Sequence, residues 1–181
     1  AVGSVAVVGL PGYPVSAIVV MDEIVKNLVD IWYAKPFGET VTVKATLGKR
    51  VVSSLKYQEY VRVTLGKVGE KLVAVPLGRG AGVITSFTKA DGIITVPQNS
   101  EGFDSGARVE VELLRDRQEI ENALIITGSH DPLIDELSDM MRKNGCSFRT
   151  ASSHVGSMGA ITAIRSSQAH LGCIHLLDTE T

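Results

Sequence analysis

The runs Tyr60-Val61-Arg62-Val63-Thr64-Leu65 and Lys71-Leu72-Val73-Ala74-Val75, on either side of Val68-Gly69-Glu70, set the fold of the middle of this chain. Polar and apolar residues alternate in both, the two-residue period of a strand with one face on a core. The same alternation recurs in Thr40-Val41-Thr42-Val43 and over residues 108–113. Turn signals separate the runs: Leu47-Gly48-Lys49, Val68-Gly69-Glu70, Asp91-Gly92 and Ser105-Gly106. Short strands at this spacing predict a small all-β barrel or sandwich over residues 38–115.

Outward on the N-terminal side, residues 1–37 follow a different grammar. Residues 5–10 form a short apolar run that predicts a buried strand. Pro11-Gly12-Tyr13-Pro14 then breaks the chain. Ala17, Met21, Ile24, Val25, Leu28 and Trp32 recur at helical spacing, with Ser16 in the expected N-cap position. Strand, loop and helix read as the C-terminal end of an α/β domain.

On the other side, the charged residues 116–122 are the expected linker. Residues 123–181 then alternate strand and helix. A strand at 123–127 leads through Gly128-Ser129-His130-Asp131 into a helix marked by Leu133, Ile134, Leu137, Met140 and Met141. Asp131 is its expected N-cap, Pro132 its first residue, and Gly145 lies past its end. A strand at 147–151, a loop at 152–157, a helix at 158–165 and a strand at 171–176 follow. This order predicts a parallel sheet, the incomplete first part of an α/β domain. The fold class is mixed: an α/β remnant, a small all-β barrel, then an α/β segment.

The 181 residues are 44% hydrophobic and 21% charged, with a formal net charge of -2. Such a chain buries a core. Its basic residues are dispersed, which argues against nucleic acid and an anionic membrane as partners. Its apolar stretches are too short to span a bilayer, and no signal peptide is evident. The two cysteines, Cys146 and Cys173, lack C-x-x-C spacing. A reduced, cytoplasmic location is expected. The first residue is Ala, as in an excised portion of a longer protein.

Three loops leave a strand, carry small or hydroxyl residues and enter a helix: 10–16, 128–131 and 152–157. A helix N-terminus offers unpaired N–H groups and the positive dipole end, a setting suited to an oxyanion. One reading has Ser129, Ser152, Ser153 and Ser157 hold a tetrahedral oxyanion, with His130 and His154 adding charge-assisted hydrogen bonds. The other has these serines as ordinary caps and turn formers. Asp131, Asp135 and Glu136 favour the second for the 128–131 loop, because they already complement that dipole. All four histidines lie in the last segment, but their spacing matches no standard zinc pattern, and no metal site is expected. His170 reads as an exposed turn residue. Arg62 shares a polar strand face with Tyr60 and Thr64; an arginine there is either solvated or a bidentate anion grip. Gly78, Gly80 and Gly82 lack both dinucleotide and P-loop spacing and read as a flexible turn.

Gly9-Leu10-Pro11-Gly12-Tyr13-Pro14-Val15-Ser16-Ala17 resembles the motif that ends the molybdopterin-binding domain of the molybdopterin molybdenumtransferase (MoeA/gephyrin) family, with Tyr13 where the usual form has Asn. The middle segment is similar to that family's C-terminal barrel through Val51-Val52-Ser53-Ser54, Glu59-Tyr60-Val61-Arg62-Val63, Pro76-Leu77-Gly78-Arg79-Gly80, Lys89-Ala90-Asp91-Gly92-Ile93-Ile94-Thr95-Val96-Pro97 and Glu101-Gly102-Phe103-Asp104-Ser105-Gly106. Gly128-Ser129-His130-Asp131, residues 152–160 and residues 169–178 resemble a periplasmic-binding-protein-like, molybdate-binding-like domain fused to some members.

The resemblance implies molybdenum-cofactor biosynthesis: insertion of molybdate into adenylylated molybdopterin with loss of AMP, dependent on Mg2+, in an elongated homodimer. It implies that Pro11, Gly12, Pro14, Ser16 and Arg62 line the molybdate and molybdopterin region. Ala81 stands where many relatives have Ser. In the last segment it implies molybdate or tungstate held by Ser129, His130, Ser152, Ser153, His154 and Ser157. The family's acidic catalytic loop is not among these residues, so the segment alone is expected to be inactive. The alternative is an oxyanion-binding or sensing module without catalysis.

Overall fold

The computed structural model describes residues 3, 5–34, 40–78 and 87–177. Most of the glycine run, Ala81, and Asp178 lie outside the described residues. The chain forms two compact units, Ala1–Thr40 with Gly78–Lys89, and Val41–Leu77 with Ala90–Thr181.

In the first unit, Pro14 opens helix α1 (Pro14–Val20), a π-helical stretch runs over Met21–Lys26, and α2 spans Asn27–Trp32. Proline suits the first helical position because its fixed φ is already helical and its missing N–H has no partner to find there. The helix therefore starts three residues before the expected point. Tyr13, extended at φ -86° and ψ 126°, is the N-cap, and Ser16 lies inside the first turn. The strand expected at 5–10 is absent. Val5 sits in an isolated bridge, and Val7, Val8 and Leu10 are exposed. Apolar composition favours a strand only where a neighbouring strand takes up the backbone groups, and among the described residues none pairs with 6–10. The π-helical bonding shifts the apolar stripe out of its 3.6-residue phase, and Met21, Ile24 and Trp32 are exposed.

The second unit begins with the expected barrel. Its strands are β1 (Thr42–Leu47), β2 (Val51–Val52), β3 (Glu59–Val68), β4 (Lys71–Pro76), β5 (Gly92–Val96), β6 (Gly102–Phe103) and β7 (Arg108–Leu113). A closed barrel runs β1-β4-β3-β5-β7, while β2 and β6 pair separately. Strands β3 and β4 form a hairpin around Gly69, which takes φ +60°. The parallel pairing of β1 with β4 and the antiparallel pairing of β1 with β7 close the barrel. Leu47, Val63, Leu65, Ile94, Val96 and Val111 fill it, as the alternation predicts. The stretch expected to link the segments holds a helical turn, α3 (Arg117–Glu121), whose Ile120 joins the barrel core.

Strands β8 (Ala123–Gly128), β9 (Arg149–His154) and β10 (Leu171–Cys173) form the parallel sheet, in the order β10-β8-β9. Helices α4 (Leu133–Lys143) and α5 (Gly156–Arg165) connect them. Asp131 accepts a hydrogen bond from Leu133 N–H at 2.9 Å, as a cap before Pro132 should. The other end of α4 closes in a Schellman motif: Gly145, at φ +69°, donates to Arg142 O, and Cys146 N–H reaches Met141 O. Ile125 packs with Ala151, with Ala163 of α5, and with Val68, Val73 and Val75 on the outside of the barrel. Ile126, one residue on and so on the opposite face, lies near Ile134 and Leu137 of α4. Gly66 of β3 makes the barrel contact close: a Cβ there would lie 2.7 Å from the Ile125 side chain. The sheet thus packs directly on the outer face of β3 and β4.

Candidate functional site

Arg62 lies on β3 opposite Ile93, between Val61 and Val63, and so on the outer face of the barrel wall. It is only 9% exposed. Burial pulls its guanidinium below the usual arginine value, although a guanidinium keeps its charge in a protein. Of the two alternatives for the face it shares with Thr64, solvation does not hold, because the face is covered: Thr64 is buried and its hydroxyl lies 3.4 Å from Val75 O. A desolvated, permanently charged donor set on a barrel wall suits a flat or tetrahedral anion better than a surface arginine does.

Pro11 and Gly12 are exposed, Pro14 opens α1, and Ser16 is half-buried in its first turn. These four belong to the first unit and Arg62 to the second.

The remaining predicted residues gather at the carboxyl edge of the parallel sheet, where ligands of open α/β sheets sit. The structure corrects one feature: Ser152, Ser153 and His154 are the last residues of β9, and the loop to α5 is Val155 alone. A parallel ladder explains the extension. Residues 149–154 pair in register with residues 123–128 along their whole length, so the backbone groups are satisfied in the strand. Ser152 and Ser153 therefore face opposite sides of the sheet. Ser153 shares a 2.8 Å hydrogen bond with Thr127, its cross-strand partner.

Ser129 and Ser157 do come together, with hydroxyl oxygens 3.0 Å apart. The Ser157 hydroxyl lies 2.9 Å from His175 O, to which it donates, and accepts from His175 N–H at 3.1 Å. Having a single proton, it must receive the Ser129 hydroxyl proton rather than give one. In this arrangement both hydroxyl protons serve the chain itself. Ser129 N–H donates to Cys173 O, and Val155 N–H to Gly128 O. An anion at this edge would have to displace the segment that carries His175, two residues past the end of β10. The His130 and His154 rings meet edge to face, centroids 4.4 Å apart, and Lys49 Nζ donates to His154 O at 3.3 Å. Among the described residues no group of three or more His, Cys, Asp or Glu is placed to hold a metal ion.

Sequence reasoning missed Asp91, which it treated as a turn residue. Its carboxylate is fully buried. Oδ2 accepts from Leu65 N–H at 2.7 Å and from Arg149. Oδ1 forms no hydrogen bond but stands 3.5 Å from Arg115 Nε, a contact of charge. No motif signals this, because the arginines lie 24 and 58 positions further along the chain.

Residues 44–114, from β1 through the end of β7, match the family model of the MoeA C-terminal region, domain IV. A Methanocaldococcus jannaschii protein named for molybdopterin biosynthesis is 33% identical over 59% of this chain and 24% of its own length. The molybdopterin molybdenumtransferase of Bacillus subtilis is 28% identical over 60% of this chain and 25% of its own. A crystal structure of the molybdopterin biosynthesis moeA protein of Pyrococcus horikoshii aligns at 25% identity and a TM-score of 0.48, over 56% of this chain and 26% of that one. The chain thus spans about a quarter of the curated relatives it matches. Its similarity to the MoeA family of molybdenum-cofactor biosynthesis proteins rests on residues 44–114, the barrel with Arg62 in its wall.

Proposed function

We propose that this chain is part of an enzyme that inserts molybdate into adenylylated molybdopterin, its barrel contributing Arg62 to the anionic substrate. The observation that carries this reading is the coincidence of the domain IV match at 44–114 with a closed barrel whose wall holds a desolvated arginine. Arg62 binds and orients a phosphate or molybdate oxygen through its fixed fork of donors. Pro11, Gly12, Pro14 and Ser16 contribute the turn that faces the pterin, and the whole protein works as a homodimer in the cytoplasm. No helix among the described residues is long and apolar enough to cross a membrane. The test is cofactor insertion by the complete protein. R62A should lower turnover by roughly 100-fold, the scale of losing one preorganised donor to a developing charge, and S16A should lower it less. Unchanged turnover in R62A rules the role out.

The second reading gives the carboxyl edge of the parallel sheet to molybdate or tungstate, without catalysis. The His130–His154 pair beside Lys49 favours it, since imidazole N–H groups and an ammonium are donors suited to an oxyanion. Calorimetric titration with molybdate, tungstate, sulfate and phosphate tests it. Binding of the first two that weakens in S157A and H154A supports the reading; no heat with any anion ends it.

A further inference from the structure

Three consecutive residues of β3 hold the parallel sheet. Leu65 O accepts from Arg149 of β9 at 3.3 Å, Gly66 lies against Ile125 of β8, and Lys67 O meets the His170 ring at 2.9 Å. At the first of these contacts, buried Asp91 binds Arg149 and the Leu65 N–H together, with Arg115 on its other oxygen. At the last, His170 Nδ1 accepts from Ile125 N–H at 2.9 Å. That nitrogen carries no hydrogen, so Nε2 must carry it and donate to Lys67 O. The imidazole is thus fixed in one tautomer, bridging a backbone donor of the sheet and a backbone acceptor of the barrel.

We infer that Asp91 with Arg149, together with His170, forms a two-point latch that makes the barrel and the parallel sheet open as one body rather than as two domains on a hinge. The chemistry explains why neither point opens alone. Separating the sheet withdraws Arg149 from a fully buried carboxylate and strips the hydrogen bonds of Ile125 N–H and Lys67 O in the same movement. A buried carboxylate that loses its partner is strongly disfavoured. The segment outside the domain IV match therefore serves as a fixed wall of the barrel.

Native-state hydrogen exchange on the full chain tests this, with Leu65 and Ile125 amides as reporters because each donates to a latch side chain. Both amides should exchange through one opening, with the same dependence on added denaturant. In R149M both should exchange faster by on the order of 10- to 100-fold, and D91N/R149M should recover part of that protection. If R149M yields no folded protein, the wild-type denaturant series decides alone. Different denaturant slopes for the two amides overturn the latch, as does an Ile125 amide unaffected in R149M. Nitrogen chemical shifts give a second readout: the Nε2–H tautomer at His170 is expected, and the Nδ1–H tautomer refutes the bridge.

Discussion

A single hydrogen atom in place of a side chain decides how closely the barrel and sheet approach. At Gly66 a methyl group would stand 2.7 and 2.8 Å from two Ile125 carbons and 3.2 Å from Ala123 O. The carbonyl belongs to a strand and cannot yield, so the strain falls on Ile125, itself fully buried. G66A should cost about 1–3 kcal/mol, measured as the shift in the urea midpoint. An unchanged midpoint would mean that the two parts separate freely. The sequence marked Arg62 as a candidate but left its face either solvated or gripping an anion, because alternation gives the side of a strand and not what covers it. Asp91 was beyond reach for another reason. Its meaning depends on arginines brought to it by the fold, and Asp before Gly is equally at home in an ordinary turn.

Elements were legible where local chemistry settles them. The α4 helix is bounded by Asp131, Pro132 and Gly145: it starts one residue later than expected, with Pro132 in the cap position, but Asp131 still accepts from Leu133 N–H and Gly145 closes the far end, since these are local interactions. The residues 5–10 and 152–154 went the other way, because strand pairing is not local. The first lacks a ladder among the described residues, and the second gains one with β8. Element α3 shows the same limit. Its charges suggested a linker, yet Ile120 is 1% exposed and packs in the barrel core, outside the 44–114 match. I120A should therefore destabilise the barrel by about 2–4 kcal/mol, read by thermal melting at far-ultraviolet wavelengths. A loss under ~0.5 kcal/mol, the level of a surface change, would return α3 to the status of a connector.

For the whole molecule, the barrel and the parallel sheet could be read in advance, but the packing of one on the other could not. The clue lay in β4. The alternation expected over residues 71–75 fails there: Leu72-Val73-Ala74-Val75 is apolar without a break, the mark of a strand covered on both faces, where β7 keeps Glu110 and Glu112 outward. Val73 and Val75 are buried by the sheet, while Ala74 is buried inside the barrel. A chain cut after residue 122 exposes Val68, Val73 and Val75 together and leaves Asp91 without Arg149. Exposed apolar patches of this kind drive association, and a buried carboxylate without its partner loosens the strands around it. The shortened chain should self-associate in size-exclusion chromatography with light scattering and melt below the full chain. The double substitution V73T/V75T in the shortened chain should restore monomers without restoring the melting point, because it removes the patch but not the lost ion pair. A monomeric shortened chain that melts with the full one would show that the barrel needs nothing from the sheet beside it.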